Sequence, residues 1–277
     1  EKTKGVVEML RSNPDYKGLM LTISEALEKA NKNTLLISVD NHKDSLAISR
    51  SVLDKVKNKV IIDHHRRSEE FISSPVLTYL EPSASSTVEL LVELFDYQQH
   101  EIEISSLDAT IMYTGMLVDT NYFRQHVGTR TFQSAAKLKE AQADLSLAYE
   151  LLEDSFECMK EIFDITESAY RYKDKFLIAT GKDEELSRST LAKAANQLVY
   201  VSGIYAAFAI GYISKNTVAI SARSSKKVNV QMIMENDALH GGGHFSMAAC
   251  QIENVTIEEA KERLEHAIDA YLEDRGV

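Results

Sequence analysis

Cysteine is scarce in this chain of 277 residues. Only Cys158 and Cys250 occur, far apart and in no CxxC pair. That excludes a disulfide framework and a zinc ribbon, and both are expected to be buried apolar thiols in a reducing compartment. An excess of basic charge is also missing. The formal net charge is −11, which argues against binding to long nucleic acid, a task for a broad basic face. A small anionic substrate stays open, because bound metal ions reverse the local sign of a carboxylate-rich site. No run approaches the ~18 apolar residues of a membrane span, and no signal peptide is visible. The chain opens on Glu1-Lys2-Thr3 without an initiator Met, as a fragment of something longer or a processed end would. What is present is ample core material, 44% hydrophobic, enough for one large domain or two of moderate size.

Read in order, the first regular feature is the end of a helix over Val6 to Leu10, followed by a short helix capped at Ser24. Thr34 to Val39 is a β-rich apolar run that closes on Asp40-Asn41-His42. Ser49 to Val56 has the pattern of an amphipathic helix. Val60-Ile61-Ile62 then leads into Asp63-His64-His65. Two such strands joined by a helix make a βαβ unit and hence a parallel sheet. Both end in Asp and His, at the strand ends where open α/β sheets place their ligands. Val76 to Leu80 reads as a third strand. A serine turn, Ser83 to Thr87, leads into a helix from Val88 to Phe95; its hydroxyls suit helix capping or an anion. Leu107 to Val118 is helical and closes on Asp119. From Phe132 to Tyr172 there is no Gly or Pro, and nearly continuous helical periodicity predicts a helical connection between two domains. Beyond it, strands are expected at Phe176 to Thr180, Tyr205 to Ile213 and Thr217 to Ala222, with helices at Leu191 to Val201, Val228 to Met234 and Ile257 to Leu272.

Asp40, His64 and Asp119 each lie at the end of an apolar element, and with Asp63 and His65 they form the candidate metal site. Adjacent ionisable groups are costly to bury without partners. Carboxylate plus imidazole without Cys favours Mn²⁺, Mg²⁺, Fe²⁺ or Zn²⁺ in a hydrolytic site. His42 is expected to be solvent exposed, with a supporting place beside the ligands as the alternative. His100, His126 and His266 read as surface residues. The Gly cluster Gly241-Gly242-Gly243-His244, with Arg223 at a strand end and Asn229 at a helix start, combines an N–H-rich loop, a cation and an amide, a set suited to phosphate and base recognition.

These residues carry a family resemblance. Asp63-His64-His65 after a buried strand resembles the signature of the DHH phosphoesterases. Ala222-Arg223-Ser224, Asn229-Val230 and Gly241 to His244 resemble the DHH-associated substrate domain. Val39 to His42, Glu81 to Thr87 and Gly128-Thr129-Arg130-Thr131-Phe132 are most similar to the GdpP-type cyclic-di-AMP phosphodiesterases. The resemblance implies an α/β fold: a parallel-sheet DHH domain over residues 1–145, a helical linker over 146–172, and a smaller α/β substrate-binding domain over 173–277. It implies two Mn²⁺ ions (Mg²⁺ or Fe²⁺ as alternatives) about 3.5–4 Å apart and hydrolysis of cyclic di-AMP to pApA. Asp40 would bridge the metals, and His64 and Asp119 would complete the second metal site. Asp63 would orient its neighbours, and His65 would lie near the scissile phosphate. Arg223, Asn229, Gly241, Gly242, Gly243 and His244 would hold a far phosphate or adenine. Ser85 and Ser86 match a recurring serine turn at the substrate. A homodimer and a cytoplasmic placement, in a parent anchored to the cell membrane, follow from the same resemblance.

Two departures stand out. His240 occupies a place where the family loop often has Gly, and the family's first His-x-x-x-Asp-x-Asp motif does not occur before Asp40. Related nucleases of short oligoribonucleotides or phosphoadenosine phosphate, and a non-catalytic nucleotide-binding module, are the alternative readings.

Overall fold

The computed structural model describes residues 4–97, 103–225 and 227–274, which leaves His100 outside. The chain divides into two compact units, Glu1–Glu153 and Asp154–Val277.

The first unit begins with α1 (Lys4–Ser12) and α2 (Ile23–Lys29). The cap of α2 is Thr22, not the expected Ser24. Thr22 and Glu25 form a reciprocal capping box, which satisfies two free N–H groups at once. A parallel sheet follows, in the order β1 (Leu35–Val39), β2 (Asn58–Asp63), β3 (Leu77–Leu80), with α3 (Arg50–Lys55) crossing between the first two. The register sets Ile37 beside Val60 and Val60 beside Leu77. Central β2 is buried on both faces, as its unbroken apolar run predicts. Ile61 packs with Leu53 and Ile72 on one side; Ile62 packs with Ala84 and Leu90 on the other. Each buried Leu or Ile side chain here contributes about 1.5–3 kcal/mol. Edge strand β1 turns Leu35, Ile37 and Val39 outward.

Helices complete this unit: α4 (Thr87–Phe95), α5 (Ser106–Asp119), α6 (Thr129–Glu140) and α7 (Leu145–Glu150). Their shared core includes Val92, Tyr113, Met116, Leu117 and Leu138. The continuous helix expected from Phe132 to Tyr172 is three helices followed by a short strand at Tyr170–Tyr172. Gln142 takes a left-handed φ of 66° after α6, Asp144 caps α7, and Ser155 caps α8 (Phe156–Glu167). Periodicity cannot register such breaks when no Gly or Pro marks them. Of the segment read as a linker, α7 packs on α5 in the first unit, and α8 packs on the second unit.

The second unit joins α8 to a six-stranded sheet in the order β4 (Tyr170–Tyr172), β5 (Phe176–Thr180), β6 (Ala206–Ser214), β7 (Thr217–Ser224), β9 (Met247–Glu253), β8 (Gly242–His244). Its helices are α9 (Arg188–Leu198), α10 (Val230–Met234) and α11 (Ile257–Glu273). Strand β5 runs parallel to β6, and the other pairings are antiparallel. On one face Phe176, Phe208 and Ile220 pack with Ile233 of α10 and Leu264 and Ile268 of α11. On the other, Leu177, Ala207 and Ala209 pack with Ile162 of α8 and Leu191 of α9. Strand β9 alternates strictly, with Ala248, Cys250 and Ile252 buried and Met247, Ala249 and Gln251 outward. That period-2 pattern was readable in Met-Ala-Ala-Cys-Gln-Ile-Glu, and no strand was expected there.

The Gly cluster is also a strand, not a loop. Gly242–His244 is β8, paired along β9. A Cβ at Gly241 would meet the Ala249 carbonyl oxygen at 2.5 Å, and one at Gly243 would meet that of Met247 at 2.4 Å. Only glycine lets these backbones approach so closely.

Candidate functional site

The end of β1 is shaped by its own backbone. The Asp40 N–H still donates to the Ile62 carbonyl at 2.9 Å, continuing the ladder. Its φ of +60° then turns the chain away and leaves the carboxylate half exposed. Asp is among the few residues that tolerate this left-handed conformation. One carboxylate oxygen accepts a hydrogen bond of 2.7 Å from the Thr87 hydroxyl at the start of α4.

Strand β2 delivers Asp63, His64 and His65 beside it. His64 Nε2 lies 3.4 Å from Asp40 Oδ1, and His65 Nδ1 lies 3.8 Å from it. Asp40, His64 and His65 each offer a ligand atom within 4.8 Å of the others. His64 Nδ1 faces the Ala84 carbonyl at 3.3 Å. A carbonyl only accepts, so Nδ1 carries the hydrogen and Nε2 presents its lone pair towards Asp40. That is how backbone carbonyls orient metal-ligating imidazoles.

Asp63 is fully buried and is not one of this trio. Its Oδ1 accepts from the His65 backbone N–H at 3.0 Å and from His65 Nδ1 at 2.7 Å. Its Oδ2 accepts from His42 Nδ1 at 2.5 Å. Burial pushes this carboxyl up, but the bonds from His65 and His42 outweigh it and hold the group below the usual carboxylate range. Because a carboxylate only accepts, His65 is left with Nε2 free on a half-exposed ring.

His42 corrects the expectation of solvent exposure. It is 1% exposed. The Ser68 backbone N–H donates to its Nε2 at 3.3 Å, which leaves the hydrogen on Nδ1 for Asp63. The available signal was its place two residues after Asp40 in the same strand-end segment. Thr87 was likewise missed, although it closes the serine turn.

Asp119, the last residue of α5, stands outside the trio but within reach of its charge. Burial and the charge of Asp40 push its carboxyl up to about 6, against the pull of His64 and His65. Carboxylates brought together with no compensating cation behave this way, and such perturbation clusters at functional sites. One carboxylate, two imidazoles and a second carboxylate nearby suit a divalent cation of the Mn²⁺, Mg²⁺ or Fe²⁺ kind.

Within the serine turn, Ala84 and Thr87 reach this site, but the hydroxyls of Ser85 and Ser86 do not. Ser85 Oγ donates to Glu89 Oε2 at 2.7 Å, and Ser86 caps α4 by accepting from the Glu89 N–H. Both serines are buried. Buried Glu89 also accepts from Thr131 Oγ1 at 2.8 Å, while Arg130 forks onto Glu93 at 2.8 and 2.6 Å. Glu93 is held below its usual pKa by that fork. Two sequence motifs, Ser85-Ser86 and Thr129 to Phe132, are thus joined through α4, which carries Thr87 to Asp40.

In the second unit, a cavity of about 300 Å³ lies on the outward face of the sheet. Its floor is made of alternate residues of β7 (Ala219, Ser221, Arg223) and β9 (Met247, Ala249, Gln251), with Gly242 and Gly243 of β8 at one side. Arg188 and Leu191 of α9 form a wall. Arg223 Nη1 donates to Ser221 Oγ at 3.3 Å and to the Ala222 carbonyl at 2.9 Å, and burial pushes its guanidinium pKa down. Asn229 and His244 do not line the cavity. The Asn229 side chain caps α10, accepting from the Gln231 N–H at 3.1 Å, and His244 is exposed in the β8–β9 hairpin. His240 holds a φ of +50°, a conformation glycine adopts without cost. Arg188, Ser221 and Gln251 had no local signal in the sequence.

Comparison with known proteins gives a consistent picture. Residues 3–116 match the DHH family, N-terminal domain, and residues 173–274 match the DHHA1 domain. The chain is 42% identical to the cyclic-di-AMP phosphodiesterase PdeA of Listeria monocytogenes, over 96% of this chain and 42% of that protein. It is 42% identical to the cyclic-di-AMP phosphodiesterase GdpP of Bacillus subtilis, over 91% of this chain and 38% of that protein. The chain therefore spans about two fifths of the length of these curated relatives. Among solved structures, an exopolyphosphatase-related protein from Bacteroides fragilis superposes with a TM-score of 0.76 at 21% identity, covering 88% of this chain and 73% of that one. That likeness is one of fold.

Proposed function

The chain belongs to the DHH family, with a DHHA1 domain behind its DHH domain, and on that footing we propose that it is a metal-dependent phosphodiesterase that hydrolyses cyclic di-AMP to linear pApA. The observation that carries the reading is the grouping of Asp40, His64 and His65 at the carboxyl ends of β1 and β2. The names of the curated relatives support the substrate.

Asp40, His64 and Asp119 would hold the cation, taken as Mn²⁺ in a two-metal arrangement, with His65 within reach of it. When bound, it would activate water and offset the charge that develops on the phosphoryl oxygens. The chain's own groups have separate tasks. Thr87 fixes the Asp40 carboxylate. The Ala84 carbonyl holds His64 in the ligating tautomer. Asp63, gripped by His42, orients His65 so that its free Nε2 faces outward for hydrogen bonding or proton transfer at phosphate. Arg223 and the backbone of Gly242 and Gly243 would receive a nucleotide in the second unit. Gly241 serves this by letting β8 reach β9, Asn229 caps α10 in the same unit, and Ser85 and Ser86 act within the first unit, through Glu89 of α4. The reading extends to a homodimer and to a parent anchored to the cell membrane, which sedimentation and membrane fractionation would test.

No helix among the described residues is long and apolar enough to cross a membrane. The decisive experiment compares cyclic di-AMP, pApA and short RNA side by side, with Mn²⁺, on this chain and on the full-length protein. Cyclic di-AMP should be opened fastest. Metal loading without its cleavage would sink the substrate assignment, and nucleotide binding without turnover would favour a binding module.

A further inference from the structure

The cavity of the second unit has an unusual charge balance. The chain carries 42 acidic residues against 31 basic ones, yet among the described residues that line the cavity none is acidic and two are arginines. Surface arginines in so acidic a chain have many carboxylates to pair with. Arg188 instead donates from Nη2 to the neutral side-chain oxygen of Gln251 at 2.8 Å. Arg223 is held by a hydroxyl and a backbone carbonyl. Each guanidinium is oriented by neutral acceptors that leave its charge uncompensated. An arginine kept in this state retains its remaining N–H groups and its charge for an incoming anion.

We propose that Arg188, tethered by Gln251, is a second anion-binding residue of this cavity, and that the two guanidiniums together select a nucleotide ending in a phosphomonoester. The proposal rests on the reading of the cavity as a nucleotide site. A phosphomonoester carries close to two negative charges at neutral pH, whereas a phosphodiester carries one. Two uncompensated cations match the former. The apolar side of the cavity, with Leu191, Ala219 and Met247, offers a surface for a base. About 300 Å³ is the low end of ligand-pocket sizes and suits one nucleotide, not two. Cyclic di-AMP has only diester phosphates, and its linear product gains a terminal monoester. The cavity would therefore hold product more tightly than substrate, so release of the 5′-phosphorylated end becomes a step that Arg188 controls.

The test is calorimetric titration of the whole chain in EDTA with 5′-AMP and with adenosine. Wild type should bind 5′-AMP at least roughly tenfold more tightly than adenosine, the scale of one charge-assisted hydrogen bond. Arg188→Ala should lose about that factor for 5′-AMP and none for adenosine, and Arg188→Lys should recover part of it. The sharpest variant is Gln251→Glu, which keeps the tether but supplies the missing negative charge. It should weaken 5′-AMP binding roughly tenfold without lowering the melting temperature. A merely structural Arg188–Gln251 pair predicts the opposite, a firmer pair and unchanged binding. Unchanged 5′-AMP affinity in both Arg188→Ala and Gln251→Glu overturns the proposal and leaves the nucleotide reading standing. Failure of wild type to bind either compound overturns the nucleotide reading itself.

Discussion

Asp119→Asn should make the metal-free protein more stable. The Asp119 carboxyl is pushed up to about 6, by burial first and by the charge of Asp40 second. Its unfolded value is about 3.9. An acid with a raised folded pKa binds protons more tightly in the folded state. Stability then falls as pH rises from about 4 to about 6 and stays low above that. Two pKa units correspond to about 3 kcal/mol at most. Asp119 keeps some solvent contact and shares its titration with Asp40, so the effect expected is about 1–2 kcal/mol. The asparagine keeps the shape and removes the charge. Urea unfolding followed by circular dichroism, in EDTA at several pH values from 4 to 7.5, measures it. The variant should lead wild type by about 1–2 kcal/mol at pH 7.5, and the lead should vanish near pH 4. Adding Mn²⁺ should reverse the order, because wild type gains more from binding. A variant less stable than wild type at pH 7.5 without metal, or a gap indifferent to pH, would refute the argument.

Other outcomes follow from single contacts. His42→Ala strands Asp63 Oδ2 in the interior, at a cost of about 1–3 kcal/mol before any cavity term, while His42→Asn, which keeps a donor, should recover part of the loss in thermal unfolding. Because Asp63 is held below its unfolded pKa, its contribution is present above about pH 4 and is lost as pH falls through the folded value; in His42→Ala that loss should begin at higher pH. Glu89→Gln weakens the bonds from Ser85 and Thr131 and should lower stability by about 1–2 kcal/mol, read from the urea midpoint. Gly243→Ala sets a Cβ 2.4 Å from the Met247 carbonyl oxygen and should open the β8–β9 hairpin with a clear drop in melting temperature, whereas Gly242→Ala meets nothing within 4 Å and should leave it nearly unchanged.

The legible part of this protein was local. A run of Val and Ile that stops at Asp63-His64-His65 needs no partner to be a buried strand with a polar end, and its repetition at Asp40 was enough for a parallel sheet. The candidate ligands Asp40, His64 and Asp119 were visible because each ends an apolar element, and element ends are where chain direction alone brings side chains together.

Tertiary structure decided what those ends do. His42 looked like a surface residue until the return of β2 placed Asp63 over its Nδ1, with Ser68 against its Nε2, 21 and 26 residues away in sequence. Ser85 and Ser86 looked like ligand groups until the fold turned their hydroxyls onto Glu89. Arg188 met Gln251, 63 residues away, only because α9 packs on the sheet that carries β9. Sequence carries periodicity, and so the faces of elements. A tautomer, a buried charge or an uncompensated guanidinium depends on which atoms stand opposite, and register and packing alone decide that.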